Sequence, residues 1–141
     1  TDPTEARLPR EISRVRLAAQ RRTEDHIHRL ELQQSILENE QADVESHLAA
    51  DEAFHAILAE ATGNPMFGML LEPVQHLRHD PYRKQYDHYQ LRQAHAEHQA
   101  ILQAIRDGDA DAAEAAVRAH LEKFVSVQHD GERVEPTGAS E

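Results

Sequence analysis

The chain has 141 residues, with 15 Lys and Arg against 26 Asp and Glu, a formal net charge of -11, and neither Trp nor Cys. An acidic excess of this size repels a phosphate backbone and argues against direct nucleic-acid binding by these residues. The lack of Cys rules out disulfides and thiolate metal sites, which leaves His, Asp and Glu as the strong metal ligands available. No apolar run approaches the ~20 residues of a membrane span and no leader-like start is present, so the chain reads as cytoplasmic and free of membrane contact. It opens TDPTEAR without a methionine, and a preceding segment is therefore expected.

Few glycines and many Ala, Leu, Gln, Glu and Arg point to an all-α fold. The first helix is predicted from Thr4 to Arg22, with Ile12, Val15 and Ala19 on one face and Pro9 either starting or kinking it. Thr23, followed by Glu24 and Asp25, is a candidate N-cap for a second helix reaching about Glu40. Asp43 caps a third, which carries Leu48, Phe54 and Leu58 and stops at Gly63-Asn64-Pro65. A short helix from Pro65 to His79, interrupted by Pro73, precedes a long one from Pro81 to Arg106. Asp107-Gly108-Asp109 is the clearest break, and a last helix runs from Ala110 to Gln128 before the polar tail HDGERVEPTGASE. Short connections between amphipathic segments predict an antiparallel helical bundle of about six to seven helices.

Eleven histidines make the chain histidine-rich, and helical spacing sorts them. Leu48, Asp51, His55, Leu58 and Ala59 share a face of the third helix, so Asp51 and His55 stand one turn apart. His98 falls within the stripe of Leu91, Ala94, Ile101, Leu102 and Ile105, and His120 falls with Ala113, Ala116, Val117, Phe124 and Val127. A lone histidine on an apolar stripe is more often a satisfied core residue than a ligand. Three of them beside a carboxylate are different, because a buried carboxylate without a partner is costly and a divalent cation supplies one. An Asp and three imidazoles suit Zn(II) first, with Ni(II), Mn(II) and Fe(II) as alternatives. One aspartate against a doubly charged ion leaves a surplus positive charge, which fits a small carboxylate ligand.

The run Asp51-x-x-Phe54-His55, Ala61-Thr62-Gly63-Asn64-Pro65, Glu97-His98-x-x-Ile101-Leu102-x-Ala104-Ile105, Gly108-Asp109 and Arg118-Ala119-His120-Leu121 resembles the FCD effector domain of FadR-type GntR transcription regulators. Glu5-Ala6-Arg7 with Glu11, and Leu17 to Thr23, resemble that family's first helix, so the likeness covers about residues 5 to 124. It implies an FCD effector- and metal-binding domain over residues 1–128, a flexible acidic tail over 129–141, and an N-terminal winged helix-turn-helix not contained in this chain. It further implies a homodimer that contacts DNA through that missing domain, a metal held by Asp51, His55, His98 and His120, and a small-molecule carboxylate effector. Arg7 can by likeness meet the effector carboxylate, although a helix ion pair with Glu11 explains it equally well. His47 and His95, each about a turn before a metal-ligand candidate, are further effector-site candidates with ordinary capping or packing roles as the plainer reading. Asn64 joins them, with helix termination as its plainer role.

Three rival readings belong to other classes. A metal-dependent hydrolase or oxygenase on a helical bundle would need a base; Glu97 is the available one, but it precedes His98 and should point off the stripe. A di-iron bundle needs two Glu-x-x-His pairs, and only Glu52 to His55 supplies one. A purely structural dimerisation module is the remaining alternative.

Overall fold

The computed structural model describes residues 3–69 and 88–120, and the regular elements among them are all α-helices. In chain order they are α1 (Pro3–Arg21), α2 (Glu24–Glu38), α3 (Val44–Ala61), α4 (Pro65–Met69), α5 (His88–Asp107) and α6, helical over residues 110–120. The expected interruption at Pro73, the helix start at Pro81, the side chains of Tyr82, Tyr86 and Tyr89, and the tail lie outside the described residues.

Local chemistry places the boundaries. The Thr23 hydroxyl accepts from the His26 backbone N–H at 3.3 Å, while the His26 ring Nδ1 accepts from the Thr23 N–H at 3.0 Å. This is a capping box with an imidazole where a Glu or Gln usually stands. Asp43 caps α3 by accepting from the Ser46 N–H at 2.7 Å, and Asp109 caps α6 by accepting from the Ala112 N–H at 3.0 Å. Gly108, at φ 65°, closes α5: its N–H meets the Ile105 carbonyl at 3.1 Å and that of Asp109 meets Ala104 at 3.0 Å. A Cβ at Gly108 would lie 3.3 Å from Arg22 Nη2, so both backbone and neighbour select glycine there. Pro9 sits inside α1 rather than at its start, on the exposed side, where its missing N–H is tolerated.

Helices α1 and α2 each pack against both α3 and α5, so α3 and α5 face one another across the interior. The shared core draws Val15, Ala18 and Ala19 from α1, Leu30 from α2, Phe54, Ile57, Leu58 and Ala61 from α3, Ile101, Leu102, Ala104 and Ile105 from α5, and Ala113 and Val117 from α6. Each fully buried Leu, Ile or Phe contributes roughly 1.5–3 kcal/mol. Two arginines at the end of α1 tie other helices down. Arg21 donates to the Thr62 carbonyl past α3 (2.8 Å), and Arg22 donates to the Ile105 and Arg106 carbonyls at the end of α5 (2.8 and 2.9 Å). Both satisfy carbonyls that a helix end leaves open. No helix among the described residues is long and apolar enough to cross a membrane.

Candidate metal centre

Helix α3 presents Asp51 and His55 from successive turns, and α5 presents His98 opposite them. One ligand atom from each lies within 4.8 Å of the others. Asp51 Oδ1 is 2.9 Å from His98 Nε2 and 3.5 Å from His55 Nε2. Donors around one tetrahedral zinc ion stand about 3.3 Å apart, since each bond is close to 2 Å, so this trio fits a single ion with small adjustments. Phe54, fully buried, sets its ring edge-on to His98 at 4.9 Å between centroids and fixes that imidazole from below. The His98 side chain is 5% exposed, His55 15% and Asp51 31%, a gradient from core to one accessible carboxylate.

His120 stands differently from the trio. Its ring lies 6.1 Å from that of His98, and its Nδ1 pairs with a carboxylate oxygen of Glu97. Glu97 therefore turns inward, its side chain 13% exposed, contrary to the expectation that it points away. The expectation failed because one residue's offset on a helix turns the Cβ but leaves a long side chain room to swing back toward a partner on another helix. A His120 Nδ1–H donated to Glu97 leaves the lone pair on Nε2, the form in which an imidazole takes a metal.

Helix α1 adds two groups that stripe counting missed. Arg14 is 5% exposed, and its Nη2 reaches both Glu11 and, at 2.9 Å, His55 Nδ1. Arg7, Glu11, Arg14 and Ala18 follow one helical face, so extending the stripe that contains buried Ala18 would have exposed the pattern. The local charge count changes with them, since Glu11 and Glu97 add two carboxylates and Arg14 one cation to the single Asp51 counted from sequence.

These contacts set the protonation preferences. Burial pushes the Asp51 carboxyl up, but His55 and His98 beside it prevail and hold it well below the usual range. Burial likewise opposes Glu11, and Arg14, His55 and Arg7 together keep it lowered. Burial lowers His55, with Asp51 opposing and Arg14 adding to the effect, so the neutral imidazole is favoured. An ionised Asp51 beside a neutral His55 is the protonation state in which both can take a divalent cation.

The other candidates sit elsewhere. Arg7 Nε is 3.8 Å from Glu11 Oε1, the helix ion pair of the plainer reading, with its side chain 32% exposed. His47 is buried and donates from Nε2 to the Asn39 carbonyl (2.8 Å), tying the start of α3 to the end of α2. His95 stacks edge-on to His47 at 5.6 Å, and burial followed by the nearby His47 and His98 lowers its pKa. Asn64 is exposed, with Oδ1 accepting from the Met66 N–H at 3.0 Å at the start of α4. The structure thus groups Asp51, His55 and His98, flanks them with His120, and leaves Arg7, His47, His95 and Asn64 outside the trio.

Among the described residues, helices α3 and α5 thus gather an aspartate and two histidines inside an all-helical bundle. The sequence matches the FCD domain over residues 4–123, and the chain belongs to that family, the effector-binding domain of GntR-family regulators, with a regulatory rather than a catalytic role. It is similar to the HTH-type transcriptional repressor NanR of Citrobacter rodentium, 34% identical over 128 residues, covering 87% of this chain and 48% of that protein. It is also similar to the putative L-lactate dehydrogenase operon regulatory protein of Escherichia coli, 36% identical over 126 residues (85% and 48%). A third relative is the HTH-type transcriptional regulator LutR of Bacillus subtilis, 32% identical over 123 residues (83% and 56%). The chain spans about half the length of these relatives.

Proposed function

We propose that this domain senses a small carboxylate effector at a divalent-metal centre and relays its binding to a winged helix-turn-helix in the same cytoplasmic protein. The observation that carries the reading is the convergence of Asp51, His55 and His98 within 4.8 Å in a chain whose family is regulatory. Asp51, His55 and His98 would hold the ion, with His120 as fourth ligand, and Zn(II) suits this donor set first, ahead of Ni(II), Mn(II) and Fe(II). When bound, the ion supplies a Lewis-acidic anchor for a carboxylate oxygen.

The chain's own residues do the rest. Phe54 fixes the His98 ring, and Glu97 sets the tautomer of His120. Arg7, 32% exposed and one turn from Glu11 on α1, is the proposed partner of the effector's second oxygen or tail. His47 and His95 line the neighbouring layer rather than the ion, and Asn64 keeps its role in the α3–α4 turn. Because the centre joins α1, α3, α5 and α6, an effector that prefers one arrangement of these helices shifts the protein toward it. A preference of roughly 1–3 kcal/mol is typical of such coupling. In a homodimer that shift would change how two DNA-binding domains are spaced on half-sites, and DNA would be touched by those domains alone.

The relative named as a putative L-lactate dehydrogenase operon regulatory protein makes a hydroxycarboxylate a reasonable first probe. The test is elemental analysis of protein purified without added metal, followed by calorimetry with Zn(II) and then a panel of small carboxylates. One ion per chain, and carboxylate binding that needs the ion, are expected. No ion uptake would contradict the metal centre, and turnover of a carboxylate would restore the hydrolase or oxygenase alternative.

A further inference from the structure

His55 and His120 are held in opposite ways. A guanidinium carries only N–H donors, so Arg14 Nη2, 2.9 Å from His55 Nδ1, requires that nitrogen to be the acceptor. A neutral imidazole has one lone pair. With the pair spent on Arg14, the proton sits on Nε2, the nitrogen that faces Asp51 Oδ1 at 3.5 Å. A metal ion at Nε2 would need the reverse tautomer, with Nδ1–H turned against an N–H of Arg14. The usual partner of a metal-bound histidine is an acceptor, a carboxylate or carbonyl. Glu97 gives His120 that partner, and Arg14 gives His55 the opposite one.

We propose that Arg14 is an exchangeable cation of the centre: its guanidinium holds His55 in the tautomer that cannot take a metal, and it leaves His55 when a divalent ion is shared by Asp51, His55 and His98. The inference rests on the metal-centre reading above. Arg14 is suited to the exchange because Glu11 already holds the same Nη2, so letting go of His55 does not strand a buried charge. Its Nε is enclosed without a hydrogen-bond partner, so the side chain is not locked at every donor. Metal loading then repositions a buried cation on α1, beside the helix face that carries Arg7 and Glu11. The centre is thereby coupled to α1 through a side chain rather than through the ion alone.

The test uses Zn(II) as the probe. Removing only the arginine would also remove a positive charge, so the variant is the charge-balanced pair Glu11→Gln with Arg14→Met. Calorimetry should show it binding Zn(II) at least about tenfold tighter than the unmodified protein, the effect of deleting one competing charge-assisted hydrogen bond. Equal or weaker affinity overturns the proposal. Nitrogen-15 spectra of the unmodified protein give a readout that does not depend on the variant folding. His55 should carry its proton on Nε2 without metal and on Nδ1 after Zn(II) is added. A proton on Nδ1 already in the metal-free protein overturns this inference while leaving the metal centre standing. Failure of both proteins to bind Zn(II) overturns both.

Discussion

Helices α3 and α5 carry two pairs of histidines, His47 with His95 and His55 with His98, and only the second pair is arranged to share a cation. Both are aromatic edge contacts of similar spacing, 5.6 and 5.4 Å between ring centroids. What separates them is the partner. His47 spends its Nε2–H on the Asn39 carbonyl, a group that needs a donor at a helix end. His55 and His98 instead bracket Asp51, a half-buried carboxylate whose charge calls for a counter-ion. One aspartate at the right turn thus converts a structural histidine pair into a candidate metal site.

The largest way to break the difference is through the floor of the second pair. Phe54→Ala should cost about 3–5 kcal/mol in chemical denaturation, as for other fully buried aromatic truncations, and should loosen His98 while leaving the His47 contact intact. Asp51→Asn should lower Zn(II) affinity at least about 100-fold by calorimetry, beyond the effect of groups that merely orient a ligand. His47→Gln, in the same assay, should change it less than about threefold; equal losses from both would erase the distinction.

Acid should act in one direction on the metal-free protein. His55 and His95 are held below the ordinary value of 6.5, so under that pH the unfolded chain takes up protons that the fold refuses, and stability falls. Asp51 and Glu11, lowered from 3.8 and 4.5, contribute stability that is present above those values and lost as pH drops through their folded-state ones. Urea midpoints should therefore decline steadily from about pH 7 downward, and the decline between about pH 7 and 5 should shrink in His55→Gln but persist in His47→Gln. The smallest effect is expected from the structural pair itself. His47→Phe should cost about 1 kcal/mol for the lost bond to Asn39, seen as a lowered urea midpoint with unchanged Zn(II) binding.

Sequence reasoning reached the boundaries whose causes are local. Thr23, Asp43, Gly63 and Gly108 terminate or start helices through their own side chains or backbone angles, and each lies where the pattern put it. Asp51, His55 and His98 were legible for the same reason, since spacing along one helix decides which face a side chain takes. The remainder depended on neighbours. Arg14 and Glu97 are polar residues at positions that periodicity assigns to the margin, and only the approach of α3 and α6 gives each an imidazole to meet. Arg21 and Arg22 stand at the predicted end of the first helix, yet they cap α3 and α5, contacts more than forty residues away in sequence that no local pattern encodes. The charge of the centre was misjudged accordingly, because Glu11, Arg14 and Glu97 enter it from outside the counted stripe.

X-ray absorption at the zinc edge of the zinc-loaded protein addresses the shared cation most directly. A first shell of nitrogen and oxygen alone at about 2.0–2.2 Å, with the outer scattering of at least two imidazoles, is the predicted spectrum. Zinc that washes out, or a shell without histidine, would contradict it.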